Sequence, residues 1–229
     1  MKTTIIGHRG AAGLVTENTL ASFKKAEELG VDFIELDTRK TQDGQLVAFH
    51  DRSTQRLCTQ NLTISRANYA ELSRLTFKDS QSHIPLLEDV LQHGSSPLII
   101  ELKEYGLVEA LVRLLHTYTT RQVVVASFKL RELQAAKTRL ANPLILLSGP
   151  VRALYTIRLA RKNQFNGVGL GFWLLNPVSY WLAKRSGVDL YVFTVDNTWL
   201  LKLIAWLYPR VAICTNRPDK LLKLRGDTS

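Results

Sequence analysis

Short β-rich runs alternate with amphipathic helical patterns along all 229 residues, and this alternation leaves few architectures open. The runs lie at residues 4–7, 32–37, 97–103, 122–127, 144–147, 167–170, 190–195 and 211–215. Residues 20–29, 107–118, 129–139, 151–162, 178–185 and 198–206 place apolar side chains at helical spacing, several of these stretches closing on glycine. A strand parallel to the one before it needs a crossover, and a helix supplies it; eight such units predict a closed TIM-type (β/α)8 barrel. One barrel uses the whole length, so residues 1–229 are read as a single domain.

A ninth run, residues 45–50, lies too close behind the second for a parallel crossover, so it must return antiparallel. Asp43-Gly44 is a two-residue hairpin signal. Pairing outward from residues 42 and 45 sets Asp37 opposite His50. Residues 51 to about 84 carry no barrel unit and are expected to form a small insertion, after which a helix leads into the third barrel strand.

Glu35 and Asp37 stand two apart at the end of an apolar strand and so project to one side of it; Glu101 and Lys103 repeat the arrangement on the next barrel strand. Carboxylates gathered at the C-terminal ends of neighbouring strands make a hard oxygen site suited to one divalent cation, Mg2+ or Ca2+. Plain ion pairs, Glu101 with Lys103 and Glu35 with Arg9, explain the same residues equally well. His8 follows the first strand and His50 ends the hairpin, both on the carboxylate face. Two imidazoles there suit a reaction needing a base and an acid, such as phosphodiester cleavage. Arg9 and Lys103 are candidate clamps for non-bridging phosphate oxygens, or neutralise the acids beside them. His83, His93 and His116 lack acidic or glycine-rich surroundings and are read as structural.

The net charge of +10 is unevenly spread: residues 1–114 hold 13 Lys and Arg against 15 Asp and Glu, residues 115–229 hold 17 against 5. Such a basic half points to an anionic partner, a phosphate ester or an anionic membrane surface. Nucleic acid is not expected, because no helix-turn-helix, zinc finger or arginine-rich tail accompanies the charge. All four tryptophans, Trp173, Trp181, Trp199 and Trp206, fall in this half. Helical spacing predicts that the last three pack on the barrel, whereas Phe172-Trp173 lies in an apolar loop suited to lipid contact. Cys58 and Cys214 have no metal-ligand spacing and are expected as free thiols in a reducing compartment. With no room for a signal peptide ahead of the first strand, the expected location is cytoplasmic, peripheral membrane contact remaining compatible.

The motifs His8-Arg9-Gly10, Glu17-Asn18-Thr19, Glu35-Leu36-Asp37, His50-Asp51 and Glu101-Leu102-Lys103 together resemble the ordered signature of glycerophosphodiester phosphodiesterases. Ser127-Phe128, Phe193-Thr194-Val195-Asp196-Asn197 and Thr215-Asn216-Arg217-Pro218 extend the resemblance to roughly residues 5–219. It implies that Glu35, Asp37 and Glu101 bind the metal, that His8 and His50 form the acid/base pair, and that the insertion is the family's small extra subdomain. It also implies hydrolysis of glycerophosphodiesters to sn-glycerol 3-phosphate and an alcohol. A lysophospholipase D and a catalytically silent anion- or membrane-binding barrel are the alternatives. Thr16 stands where the family usually has Pro, Phe193 in the substrate wall where it often has Trp, and Asn216 where it commonly has Asp.

Overall fold

The computed structural model describes residues 3–118 and 121–226. Their strands are β1 (Ile5–Gly7), β2 (Phe33–Lys40), β3 (Leu46–Ala48), β4 (Leu98–Leu102), β5 (Val123–Ser127), β6 (Leu144–Leu147), β7 (Gly167–Gly171), β8 (Asp189–Phe193) and β9 (Ala212–Thr215). Every strand but β3 pairs in parallel with two neighbours, and β1 joins both β2 and β9 to close an eight-stranded barrel. Helices α1 (Leu20–Leu29), α2 (Tyr69–Leu72), α3 (Leu87–Gln92), α4 (Val108–Thr117), α5 (Leu130–Lys137), α6 (Ala153–Asn163), α7 (Pro177–Ser186), α8 (Thr198–Leu207) and α9 (Pro218–Arg225) complete the order. Side-chain caps start several of them: Thr19 accepts from Ser22 N at α1, and Asn176 and Asn197 each accept from two backbone N–H groups at α7 and α8.

Three apolar clusters follow from the strand alternation. The largest lies between the strands and the helices. A second fills the barrel with Ile6, Ile99, Val124, Ala126, Leu147, Tyr191 and Cys214. Gly169 belongs to that interior: a Cβ there would come within 2.5 Å of Leu147 Cδ2 and 2.7 Å of the Tyr191 ring. The large Tyr191 ring therefore fits only because the facing position carries no side chain. The third cluster is separate and belongs to the insertion, joining Val47 and Phe49 of the hairpin to Cys58, Ile64, Leu72, Phe77 and Ile84. Both cysteines are buried and free, as expected.

Two expectations are corrected. The hairpin is shifted by one residue: Thr38 pairs with Ala48 and Lys40 with Leu46, so Asp37 lies across from Phe49, whose N–H donates to Asp37 O at 3.0 Å. Thr41 N donates to Gln45 O at 2.9 Å, closing a three-residue loop in which Gly44 takes the left-handed conformation (φ 83°). Thr41 Oγ1 and Tyr69 N both donate to the Asp43 carboxylate, which selects this longer loop over the tight turn. The tryptophans also depart from expectation. Trp181, Trp199 and Trp206 are not packed on the barrel but 57%, 70% and 78% exposed. Among the described residues no helix is long and apolar enough to cross a membrane.

Phe49 is fully buried, its ring 6.3 Å from that of Phe77. Phe49→Ala should cost about 3–5 kcal/mol of stability, read as a lowered midpoint in chemical denaturation. A loss below about 1 kcal/mol would mean that the insertion core collapses around the gap.

Candidate active site

Continuing the inward alternation of the strands beyond the barrel core leads to the side chains of its mouth, most of them polar and two aromatic. Ile6 gives way to His8, Phe33 to Glu35 and Asp37, Ile99 to Glu101 and Lys103, Val124 and Ala126 to Phe128, Tyr191 to Phe193, and Cys214 to Asn216. Parallel pairing of β2 with β4 sets Asp37 beside Glu101. Glu35, Asp37 and Glu101 are 4%, 1% and 7% exposed, and one oxygen of each lies within 4.8 Å of the others.

Both alternatives read from the sequence contribute to this cluster. Lys103 Nζ lies 2.7 Å from Glu101 Oε1 and 3.2 Å from Asp37 Oδ1, while Arg9 Nε lies 3.0 Å from Asp37 Oδ2. Arg9 does not pair with Glu35 through its side chain; its backbone N–H donates there at 3.0 Å, and its guanidinium reaches Glu17 at 2.7 Å. Asn18 donates to Asp37 Oδ2 and accepts from Asp37 N, fixing that carboxylate from the β1–α1 loop.

Two cations do not balance three buried acids. Burial raises the Glu35 carboxyl to about 8, the Asp37 charge adding to the rise. The same two causes raise Glu101 to about 7. Burial pushes Asp37 upward as well, but Lys103 and Arg9 outweigh it and hold this carboxyl well below the usual range. Glu101 Oε1 accepts no aligned hydrogen bond despite its close ammonium neighbour. Excess negative charge on three clustered, buried carboxylates fits a divalent cation.

Each histidine is held by Nδ1. For His8 the partner is Asn216 Oδ1 at 2.7 Å. The Asn216 amide nitrogen donates to Asp196 Oδ2 at 2.7 Å, and a carboxylate only accepts, so the amide oxygen must face the imidazole. Neutral His8 therefore carries its proton on Nδ1 and presents a bare Nε2, 4.0 Å from Glu35 Oε2. His50 Nδ1 likewise donates to Asp51 Oδ1 at 2.7 Å, and Arg39 Nε donates to the His50 carbonyl at 2.8 Å. Burial lowers both imidazoles below their usual value; Arg9 adds to the effect at His8, and Asp37 partly offsets it at His50. Arg56 joins the two halves of the site, donating to Asp51 Oδ2 at 2.6 Å and to Glu17 at 2.7 Å. Thr16 adds a second tie to the insertion, its hydroxyl donating to Asp79 Oδ1 at 3.0 Å and accepting from the Ser80 hydroxyl at 3.0 Å.

One wall is aromatic: Phe193 packs edge-on against Phe128 at 6.1 Å, and Lys103 Nζ lies 5.9 Å from the Phe128 ring centre. Beside Phe128 opens a groove of about 490 Å3 lined by Leu130, Leu147, Val151, Tyr155 and Leu159. His83 and His93 bond backbone carbonyls away from the site.

Residues 8–220 match the glycerophosphoryl diester phosphodiesterase family. The chain belongs to that family. The glycerophosphodiester phosphodiesterase of Caldanaerobacter subterraneus subsp. tengcongensis is 30% identical over 215 residues, covering 86% of this chain and 87% of that protein. A solved structure of an Oleispira antarctica phosphodiesterase, in complex with the product sn-glycerol-3-phosphate, superposes with a TM-score of 0.89 at 23% identity, covering 99% of this chain and 98% of that one. Human lysophospholipase D is 35% identical over 111 residues, 43% of this chain and 35% of that protein.

The structure brings Glu35, Asp37, Glu101, Arg9, Lys103, His8 and His50 together, and Phe193 joins them through Phe128; it does not bring Phe172 or Trp173 into this cluster. Sequence reasoning missed Asn18, Arg56, Phe128 and Asn216 as members of this phosphodiesterase's site. Asn18, Phe128 and Asn216 carry a signal, since all three stand inside the motifs. What only the closed barrel reveals is the contact of Asn216 with His8, 208 positions away.

The His8 tautomer is open to test by 15N NMR of the metal-free enzyme above pH 7. Nδ1 should give the protonated and Nε2 the unprotonated shift, and Asn216→Ala should erase that preference. A proton on Nε2 in the parent enzyme would overturn the assignment.

Proposed function

We propose that the enzyme hydrolyses a glycerophosphodiester to sn-glycerol 3-phosphate and an alcohol, with one Mg2+ or Ca2+ held by Glu35, Asp37 and Glu101. The carrying observation is the charge excess of three buried carboxylates set beside two imidazoles with free Nε2 atoms. A bound divalent cation would supply positive charge to the phosphate oxygens and favour attack at phosphorus. Arg9 and Lys103 place two more positive charges beside the same carboxylates and serve the non-bridging oxygens. Phe193 and Phe128 wall the substrate.

The attacking oxygen loses its proton to one imidazole as the P–O bond forms; it comes from water, or from a neighbouring substrate hydroxyl whose cyclic phosphate product water then opens. The other protonates the departing alkoxide. What stands behind Nδ1 divides this work: His50 is backed by a carboxylate, which stabilises its charged form, and His8 by a neutral amide. This supports His8 as base and His50 as acid. Retention of all these side chains in one cluster supports turnover over a silent barrel.

The apolar groove beside Phe128 favours a second reading, lysophospholipase D action on the same bond in a substrate that keeps its acyl chain. The partial likeness to the human lysophospholipase D is consistent with it.

Turnover of glycerophosphocholine, glycerophosphoethanolamine and lysophosphatidylcholine, with metal and in excess EDTA, tests both readings. Activity should require the cation, and His8→Ala and His50→Ala should each lower kcat by about 100-fold or more. The loss in His50→Ala should shrink on a substrate with a good leaving group. Full turnover in EDTA sinks the metal assignment, and turnover of the lysophospholipid alone selects the second reading.

Metal binding should also release protons, because Glu35 and Glu101 must deprotonate to serve as ligands. With carboxyls at about 8 and about 7, affinity rises with pH to a plateau above about 8. Calorimetry in buffers of different ionisation enthalpy should find up to about two protons released at pH 6.5 and none at pH 9. Equal release at both pH values would exclude these ligands.

A further inference from the structure

Helices α6, α7 and α8 differ from the rest of the outer ring: their sequences, ALYTIRLARKN, PVSYWLAKRS and TWLLKLIAWL, contain no carboxylate. Their cations are Arg158, Arg161, Lys162, Lys184, Arg185 and Lys202, and among the described residues none of these has an acidic partner. Every other helix of the ring carries at least one carboxylate, and ion pairs form there, Lys25 with Glu28 and Glu109 with Arg113 and Arg139, although Lys24, Arg131, Lys220 and Lys223 also lack an acidic partner among the described residues. Unmatched positive charge repels itself, and three helices in succession carry it.

The same surface is apolar. Only Leu201 and Ile204 of α8 are buried, although the helix is almost wholly hydrophobic. Trp199 and Trp206 stand two turns apart, about 10 Å along one side, with Lys202 between them. On α7, Val178 and Trp181 are exposed, and the Arg185 guanidinium lies 5.1 Å from the Trp181 ring centre. At the mouth of the barrel Trp173 is exposed as well, and its Nε1 donates to Pro150 O, tying the loop before α7 to the loop before α6.

We infer that the wall formed by α6, α7 and α8 docks on a lipid bilayer with anionic headgroups. Indole rings flanked by lysine and arginine are the side chains that settle at the boundary between headgroups and acyl chains, and unpaired cations supply the attraction to anionic lipid. A second copy of the chain would bring like charge against like. Duplex nucleic acid offers nothing apolar for three exposed indoles. The contact lies on the side of the barrel, so a docked enzyme holds the edge of its mouth at the lipid surface, whichever diester it cleaves.

Cosedimentation with vesicles of phosphatidylcholine, with and without phosphatidylglycerol, tests this inference separately from catalysis. Binding should require phosphatidylglycerol and weaken in high salt. The double variant Trp199→Ser/Trp206→Ser and the triple variant Lys184→Glu/Arg185→Glu/Lys202→Glu should each bind about tenfold or more weakly. Both should keep the parent's turnover of a water-soluble diester, which confirms that they fold. Absence of binding at low salt, equal binding to neutral vesicles, or undiminished binding by both variants would overturn the inference. So would a dimer that either variant dissociates, which would make the wall a protein interface.

Discussion

Three buried carboxylates within 4.8 Å of one another form the constraint around which the mouth of the barrel is arranged. Like charges in a poorly polarisable interior repel strongly, and each surrounding group answers that repulsion. Lys103 bridges β2 and β4, Arg9 approaches from the other side, and Asn18 grips Asp37 with two hydrogen bonds. The β1–α1 loop adopts left-handed backbone at Arg9 and Asn18, φ 49° and 55°, to deliver those contacts. Such conformations cost about 1–3 kcal/mol each in ordinary residues, so the loop is held in place by the contacts it makes.

Much of this was legible in the sequence because a strand has a period of two. Once Ile6, Ile99 and Cys214 are read as facing inward, His8, Glu101 and Asn216 follow on the same side. The family resemblance independently named the acids and histidines of the cluster, and geometry adds their partners. Two features were not legible. The hairpin register depends on the Asp43 carboxylate accepting from Thr41 and Tyr69, contacts that the Asp-Gly dipeptide does not announce. Trp199 and Trp206 were misplaced because α8 is apolar on more than one face, and periodicity cannot then say which face meets the barrel.

The register shift matters less to His50 than its size suggests. Slipping a strand by one residue turns each side chain to the opposite face, yet β3 ends at Ala48 and the chain leaves ladder geometry before His50. Arg39 and Asp51, rather than strand pairing, then fix the imidazole. A side chain just past a strand end is positioned by its own bonds, and for that reason the site survives a register that sequence reasoning placed differently.

The insertion keeps an apolar core of its own, and His8 and His50 therefore stand on separately packed bodies. His8 rides on the barrel, while His50 enters the hairpin and insertion, clasped to the β1–α1 loop by Arg56 and Thr16. Separately packed regions open with their own free energies. Fraying of the smaller body would withdraw one of the two imidazoles while the acids stayed clustered in the larger. Proton transfer by the proposed pair would thus be only as durable as the least stable of its parts.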